Sequence, residues 1–369
     1  MKILHIVNGN DVGGATTQVS MLIEAQKQSN DLKVLVLGKG KIIEFLIEKK
    51  VEYVLYNWSI FNLLPIILYV LRMKKEGYII HSHGLKPLII QTFILNFNNN
   101  KNLITTIHSD YKKEYKNKKI VKKIALPIFR YVCTKIEKVI VVSKEFKKTL
   151  IEDGVLEKNI CFIPNGINIY DKKQCIKKEE FLNRFKLDFN DDVFICGTVA
   201  RIHKVKGIDV LIETAKLLKE YNIIFLIAGS GDENLKQEYL SKIEEYNLNN
   251  IYFLGYINDI NNFYNSIDIN LIPSYSEALS YSLLEGALYE KSVICTKLES
   301  FIDVIENYKD GIIIEIGNYK QLQDEILKLY NDRKYCEIIS KNLNKKILNN
   351  YNSNIMSDNY INVYKLLMK

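Results

Sequence analysis

No C-x-x-C pair and no metal-type cysteine spacing occurs in this chain, although it has 6 cysteines, at positions 133, 161, 175, 196, 295 and 336. That suits a reduced compartment in which cysteines serve as small buried hydrophobes. No signal-peptide core follows Met1-Lys2, which run straight into the strand-like ILHIV. The expected location is therefore cytoplasmic. The longest apolar stretch, 60–71, is broken by Asn62 and Pro65 and is too short to span a bilayer. It reads as a core helix. Neither G-x-G-x-x-G nor an acid after the second strand is found (Gly38-Lys39-Gly40 stands there), which disfavours dinucleotide binding. There is also no D-x-D-type pair after a strand, so no metal site is expected. No aromatic platform of RNP type accompanies the lysines, so nucleic acid is not an expected partner.

What is present is ordinary in bulk and uneven in distribution. A length of 369 residues, 47% hydrophobic and 25% charged, implies a globular protein of two domains. The net charge is +8, but residues 1–180 hold 30 Lys and Arg against 17 Asp and Glu, while the remainder holds 21 against 26. Seven lysines face only Glu114 within 112–123. Such a run is either a solvated helix face or a patch for an anionic membrane surface, where each clustered lysine contributes roughly 1 kcal/mol.

Short β-branched runs alternate with helical patterns along the whole chain. Strands are expected at 3–7, 33–37, 53–56, 78–82, 103–107, 139–142 and 160–163. After a polar stretch they resume at 193–199, 223–228, 251–254, 269–272, 293–296 and 312–316. Continuous apolar strands alternating with helices predict parallel sheets covered on both faces. The domain expectation is 1–170, a linker over 171–190, a second domain over 191–349, and a terminal helix over 350–369. Ile355, Tyr360, Val363, Tyr364 and Leu367 give that helix a face that should dock.

The candidate chemistry lies at strand carboxyl ends, where open α/β sheets bind ligands. Around 274–287, SYSEALSYSLLEGA, Glu277 falls in a loop after a buried strand and Glu285 one to two turns down the next helix. Arg201 and Lys206 sit on the loop after the first strand of the second half, in ARIHKVKG. Two cations beside a helix start suit a diphosphate, a forked donor and a mobile point charge together. Gly229-Ser230-Gly231-Asp232 ends the next strand and allows close backbone approach. In the first half, Gly13 and Gly14 precede the first helix, where a tight turn and a phosphate site are equally compatible readings. Pro164-Asn165-Gly166 is a turn signal. His81, His83 and His108 lie near strand ends without a carboxylate or cysteine at ligand spacing; His108 reads as a polar group of a cleft, and His81 and His83 as structural.

Taken in order, Gly13-Gly14, His108, Val142-Ser143, Pro164-Asn165-Gly166, Arg201 with Lys206-Gly207, Gly229-Ser230-Gly231-Asp232, and Glu277 with Glu285 resemble glycosyltransferase family 4. The resemblance runs across nearly the whole chain. It implies the GT-B fold, two Rossmann-like doubly wound domains facing across a cleft, with the final helix crossing back to the first. It implies a metal-independent retaining glycosyltransferase without a cofactor. Its co-substrate would be a nucleoside-diphosphate sugar, UDP-sugar favoured. The acceptor would be a glycan or lipid-linked molecule of cell-surface polysaccharide synthesis, met in the cytoplasm or peripherally at the inner membrane face. Arg201 and Lys206 would hold the diphosphate. Glu277 and His108 would contact the sugar. Glu285 would accept hydrogen bonds from the ribose. The amides of Ala278, Leu279 and Ser280, with Gly13, Gly14, Gly229 and Ser230, would line the donor. Ala278, Leu279-Ser280, Asn168 and Ala200 depart from the common residues, which leaves the donor's identity open. An epimerase-like GT-B enzyme or a catalytically silent membrane-associated member are the alternatives.

Overall fold

The computed structural model describes residues 1–11, 13–95, 102–109, 111–114, 123, 125–169, 175–189 and 192–368. It divides into two compact units, one of residues 1–168 with 352–369 and one of residues 169–351.

Unit 1 holds β1 (Lys2–Asn8), β2 (Asp31–Leu37), β3 (Glu52–Tyr56), β4 (Ile79–His83), β5 (Leu103–Ile107), β6 (Lys138–Val141) and β7 (Ile160–Phe162). They form one seven-stranded sheet in the order β3-β2-β1-β4-β5-β6-β7. Unit 2 holds β8 (Phe194–Val199), β9 (Ile223–Ala228), β10 (Ile251–Gly255), β11 (Ile269–Ile272), β12 (Ser292–Thr296) and β13 (Ile312–Ile314), in the order β10-β9-β8-β11-β12-β13. Every strand pairing is parallel. Parallel strands need crossover connections, and here helices supply them, so both sheet faces are covered. That is why β4, β5, β9, β11 and β12 are buried along their whole length. In each sheet the strand order reverses once, between β1 and β4 and between β8 and β11. Those are the points where neighbouring loops diverge and leave a crevice.

Two helices differ from expectation. The helix Ile60–Lys75 buries Ile66, Ile67, Val70 and Met73. Yet Ile60, Phe61, Leu64 and Leu68 are 81%, 89%, 64% and 57% exposed. It is not a core helix. Its apolar residues run almost all the way round, and the sheet covers only one side. Secondly, the polar span 171–190 is more than a linker, because it contains the helix Lys178–Asn183. Phe181 and Leu182 of that helix are buried, and the Phe181 ring meets Phe263 edge-on at 6.4 Å. Two apolar residues among charges anchor one helical turn without giving a readable period.

The last helix, Ser353–Leu367, belongs to unit 1 and packs on the helix Gly14–Gln26. Its entry is gripped by the Pro164-Asn165-Gly166 turn. Ser353 N–H donates to the Ile167 carbonyl at 2.9 Å, and Gly166 N–H donates to Met356 Sδ at 3.2 Å. A large buried tyrosine must satisfy its hydroxyl. Tyr360 accepts from the Gln18 amide at 2.9 Å and lies 3.2 Å from Thr106 Oγ1, while Tyr364 lies 2.7 Å from His81 Nδ1.

Candidate functional site

Unit 2 gathers most of the candidate residues at its switch point. β8 leads into Arg201 and the 3-10 turn Lys204–Lys206, and β11 leads into the loop that carries Glu277. Three backbone ties hold these loops. Ile202 N–H donates to the Ser230 carbonyl at 3.1 Å, Asp232 N–H to the Ile202 carbonyl at 3.0 Å, and Tyr275 N–H to the Val205 carbonyl at 2.8 Å. Two glycines make the close approach possible. A Cβ on Gly207, whose φ is +69°, would lie 2.0 Å from the Pro273 carbonyl oxygen, and one on Gly229 would lie 1.9 Å from that of Ala200. No L-residue with a side chain fits either place.

The ties bring Lys206 Nζ to 2.5 Å from Glu277 Oε1, with side-chain exposures of 16% and 12%. The same carboxylate oxygen accepts from Ser274 Oγ at 2.9 Å, and the Glu277 carbonyl accepts from Ser300 Oγ at 3.0 Å. Thr296 Oγ1 in turn donates to the Ser274 carbonyl at 2.6 Å. Glu277 is thus held from both its side chain and its backbone, and Lys206 is held by Glu277. Arg201 is exposed and makes no ion pair among the described residues. The loop therefore carries one exposed guanidinium and one paired ammonium. An anion with two phosphoryl groups would draw on both. Ser230 is exposed at the end of β9, while Leu279 is buried and Ala278 and Ser280 are partly exposed.

Glu285 occupies a different setting, in the second turn of the helix Tyr281–Leu288. Tyr264 donates from its hydroxyl to Glu285 Oε2 at 3.0 Å. Burial pushes the Glu285 carboxyl up to about 7, against the smaller opposing pull of the Tyr264 hydrogen bond. The carboxyl borders a cavity of about 200 Å³ lined also by Asn258, Ile260, Asn261 and Tyr289. A raised carboxyl beside a cavity is a common mark of a binding site.

In unit 1, Gly13 caps the helix Gly14–Gln26 with φ 101°, a conformation confined to glycine, and Gly14 opens the helix. His108 stands partly exposed just past β5. Behind it lies a group invisible to sequence spacing. His5 of β1 is paired in register with His81 of β4, and ligand nitrogens of His5, His81 and His83 all lie within 4.8 Å of one another. Burial lowers His5 and His108 to about 4 and His81 and His83 well below their ordinary range. All four are neutral imidazoles at pH 7. Ser300, Tyr264, His5 and Gln26 carry no motif. Only the strand register and the loop ties bring them to the site residues.

The lysine run 112–123 lies mostly outside the described residues. Within it, Lys112 pairs with Asp153 at 3.1 Å. Among the described residues, no helix is long and apolar enough to cross a membrane.

Two doubly wound parallel sheets in one chain define the GT-B fold, and in the second of them Lys206 and Glu277 meet across the switch point. The fold is shared with the solved structure of Anabaena Alr3699/HepE in complex with UDP, at a TM-score of 0.86 and 17% identity, over 99% of this chain and 100% of that one. Residues 12–170 match the family model described as Glycosyltransferase Family 4, and residues 179–346 that described as Glycosyl transferases group 1. Both halves of the chain thus match glycosyltransferase family models. The chain is 28% identical over 241 residues to the capsular polysaccharide biosynthesis glycosyltransferase CapM of Staphylococcus aureus, covering 63% of this chain and 62% of that protein. It is 30% identical over 234 residues to the N,N'-diacetylbacillosaminyl-diphospho-undecaprenol alpha-1,3-N-acetylgalactosaminyltransferase of Campylobacter jejuni, covering 62% and 59%. The matched stretch thus spans about three fifths of these two relatives' length.

Proposed function

We propose that the protein is a retaining, metal-independent glycosyltransferase that moves a sugar from a nucleoside-diphosphate sugar, UDP-sugar favoured, to a glycan or lipid-linked acceptor of cell-surface polysaccharide synthesis. The observation that carries this is the switch point of unit 2, where exposed Arg201 shares a loop with Lys206, and Lys206 is held against Glu277. As the bond between the sugar and the diphosphate breaks, negative charge grows on the departing phosphate oxygen. Arg201 and Lys206 meet that charge with fixed cations, the role a divalent metal plays elsewhere. Glu277, released in part from Lys206 as the lysine turns to phosphate, accepts from sugar hydroxyls. Glu285 accepts from the ribose in the adjoining cavity. His108, Gly13 and Gly14 are assigned to the donor, as are the amides of Ala278, Leu279 and Ser280. The UDP complex of the Anabaena protein and the diphospho-undecaprenol named for the Campylobacter relative support the choice of donor and acceptor class.

The exposed face Ile60, Phe61, Leu64 and Leu68 is the part of unit 1 that would meet an anionic membrane, with Arg72 and Lys75 at the basic end of the same helix. A lipid-linked acceptor would then be reached from the cytoplasmic side.

Purified protein incubated with a panel of nucleotide sugars should hydrolyse one donor slowly in the absence of acceptor. Failure with every donor, together with no heat of binding for any nucleoside diphosphate, would refute the reading. Activity abolished by EDTA and restored by magnesium would refute its metal-free part. Retention is read from the anomeric coupling of the product by NMR.

A further inference from the structure

The buried histidines of unit 1 form a chain with one direction. His5 Nε2 lies 3.1 Å from Gln26 Oε1, His5 Nδ1 lies 2.9 Å from His83 Nε2, and His83 Nδ1 lies 3.2 Å from His108 Nε2. An amide oxygen only accepts, and a neutral imidazole has one donor and one acceptor nitrogen. Gln26 Oε1 therefore requires the proton of His5 to be on Nε2, which leaves Nδ1 bare. His83 must then donate from Nε2 to His5, and its own Nδ1 is bare. His108 must donate from Nε2 to His83, and its Nδ1 is left as a lone pair. That nitrogen makes no hydrogen bond to a described residue, at a side chain that is partly exposed.

We infer that Gln26, His5 and His83 are positioning residues that hold His108 in the Nε2–H tautomer, so that its bare Nδ1 accepts a hydrogen bond from a donating group of the ligand. On the reading of His108 as a sugar contact, that group is a neutral hydroxyl or amide N–H, and a sugar carboxylate at the same place is repelled. His5 and His83 are buried in the strands flanking the switch point of their sheet, so the relay runs inside a rigid frame.

The same imidazoles offer a rival occupant, a transition-metal ion held by His5, His81 and His83. Its charge would sit in a fully buried place with no anionic ligand beside it among the described residues, which is costly. Every nitrogen of the three rings is also already paired. His81 is engaged at both, by Tyr364 at 2.7 Å and by Thr106 Oγ1 at 2.8 Å.

The chain has 5 histidines, so long-range nitrogen–proton correlation spectra of histidine-labelled protein can be assigned by single substitution. At pH 7.5, His5, His83 and His108 should each appear as a single Nε2–H tautomer. His108 with its proton on Nδ1, or a mixture in any of the three, would overturn the inference whatever the activity. One equivalent of zinc retained through purification would also overturn it. Gln26→Leu removes the terminal acceptor, so His108 should become a tautomer mixture and KM for the donor sugar should rise about twofold, following the competent fraction. Affinity for the bare nucleoside diphosphate should not change. Gln26→Glu, whose carboxylate only accepts, should restore a single tautomer. A His108 spectrum indifferent to Gln26→Leu would refute the relay. Loss of nucleoside-diphosphate binding in the unsubstituted protein would refute instead the functional reading of unit 2.

Discussion

Glu285→Gln should make the protein more stable and a poorer nucleotide binder at once. In the folded chain the carboxyl binds its proton up to about pH 7, against an ordinary value of 4.5. Between those values the folded state keeps a proton that the unfolded state has lost, so stability falls as pH rises through this window and levels off above it. At 1.36 kcal/mol per pH unit the loss is about 3 kcal/mol, complete near pH 8. Gln carries no such penalty and can still accept from the Tyr264 hydroxyl, so the variant escapes the decline. At pH 4.5 the two proteins should melt together. At pH 8.5 the variant should melt higher by roughly 6–12 °C, given that 1 kcal/mol moves the midpoint of a domain this size by about 2–4 °C. Scanning calorimetry across that range isolates the residue, because every other titrating group is common to both chains. Hydrogen bonds to charged groups contribute about 1.5–3 kcal/mol, so nucleoside-diphosphate affinity should fall roughly ten- to hundredfold in the same variant. Melting curves that stay parallel from pH 4.5 to 8.5 would refute the burial argument. Unchanged affinity would refute the ribose assignment.

Lys206→Ala should cut turnover severely while circular dichroism stays native, since the loop ties run through backbone atoms and not through Nζ. Gly207→Ala sets a Cβ against the Pro273 carbonyl at a positive φ and should cost about 2 kcal/mol or more, read as a lower unfolding midpoint. Tyr360→Phe leaves the buried Gln18 amide and Thr106 hydroxyl without their shared partner and should cost about 1–3 kcal/mol by the same measure. Phe61→Ser with Leu64→Ser should leave the midpoint almost unmoved and weaken sedimentation with phosphatidylglycerol vesicles at low salt. Binding indifferent to both the substitutions and the vesicle charge would end the membrane reading.

Much of this molecule is legible in its sequence, and the boundary has physical causes. Each strand was placed to within two residues because parallel strands buried on both faces must be apolar runs, as in Ile223–Ala228 and Ile269–Ile272. Arg201, Lys206 and Glu277 were legible as loop residues after such strands. The meeting of Lys206 with Glu277 was not, because it depends on β8 and β11 being neighbours, a fact of sheet order. His5 passed unnoticed for the same reason. Within ILHIV it is one polar residue in a strand, and only pairing with β4 shows that it faces His81 and His83. The helix Ile60–Lys75 differs from its expected core setting because apolar content records what a segment can bury, while exposure records what there is to bury it against.

The return of the chain to unit 1 sets a timetable. The ribosome releases residues 1–168 before unit 2, yet the groups that complete the interior around Gln18, Thr106 and His81 are carried by Tyr360 and Tyr364, which follow unit 2. Unit 2 is contiguous and emerges in between. At synthesis rates of about 5–20 residues per second, the first-made half waits roughly 10–40 s for its final helix. During that interval it exposes the surface of the helix Gly14–Gln26 that Ser353–Leu367 will cover, a site a chaperone can hold. A stop codon ahead of Ser353 would thus damage unit 1 and spare unit 2, leaving unit 2 folded and unit 1 open to proteolysis.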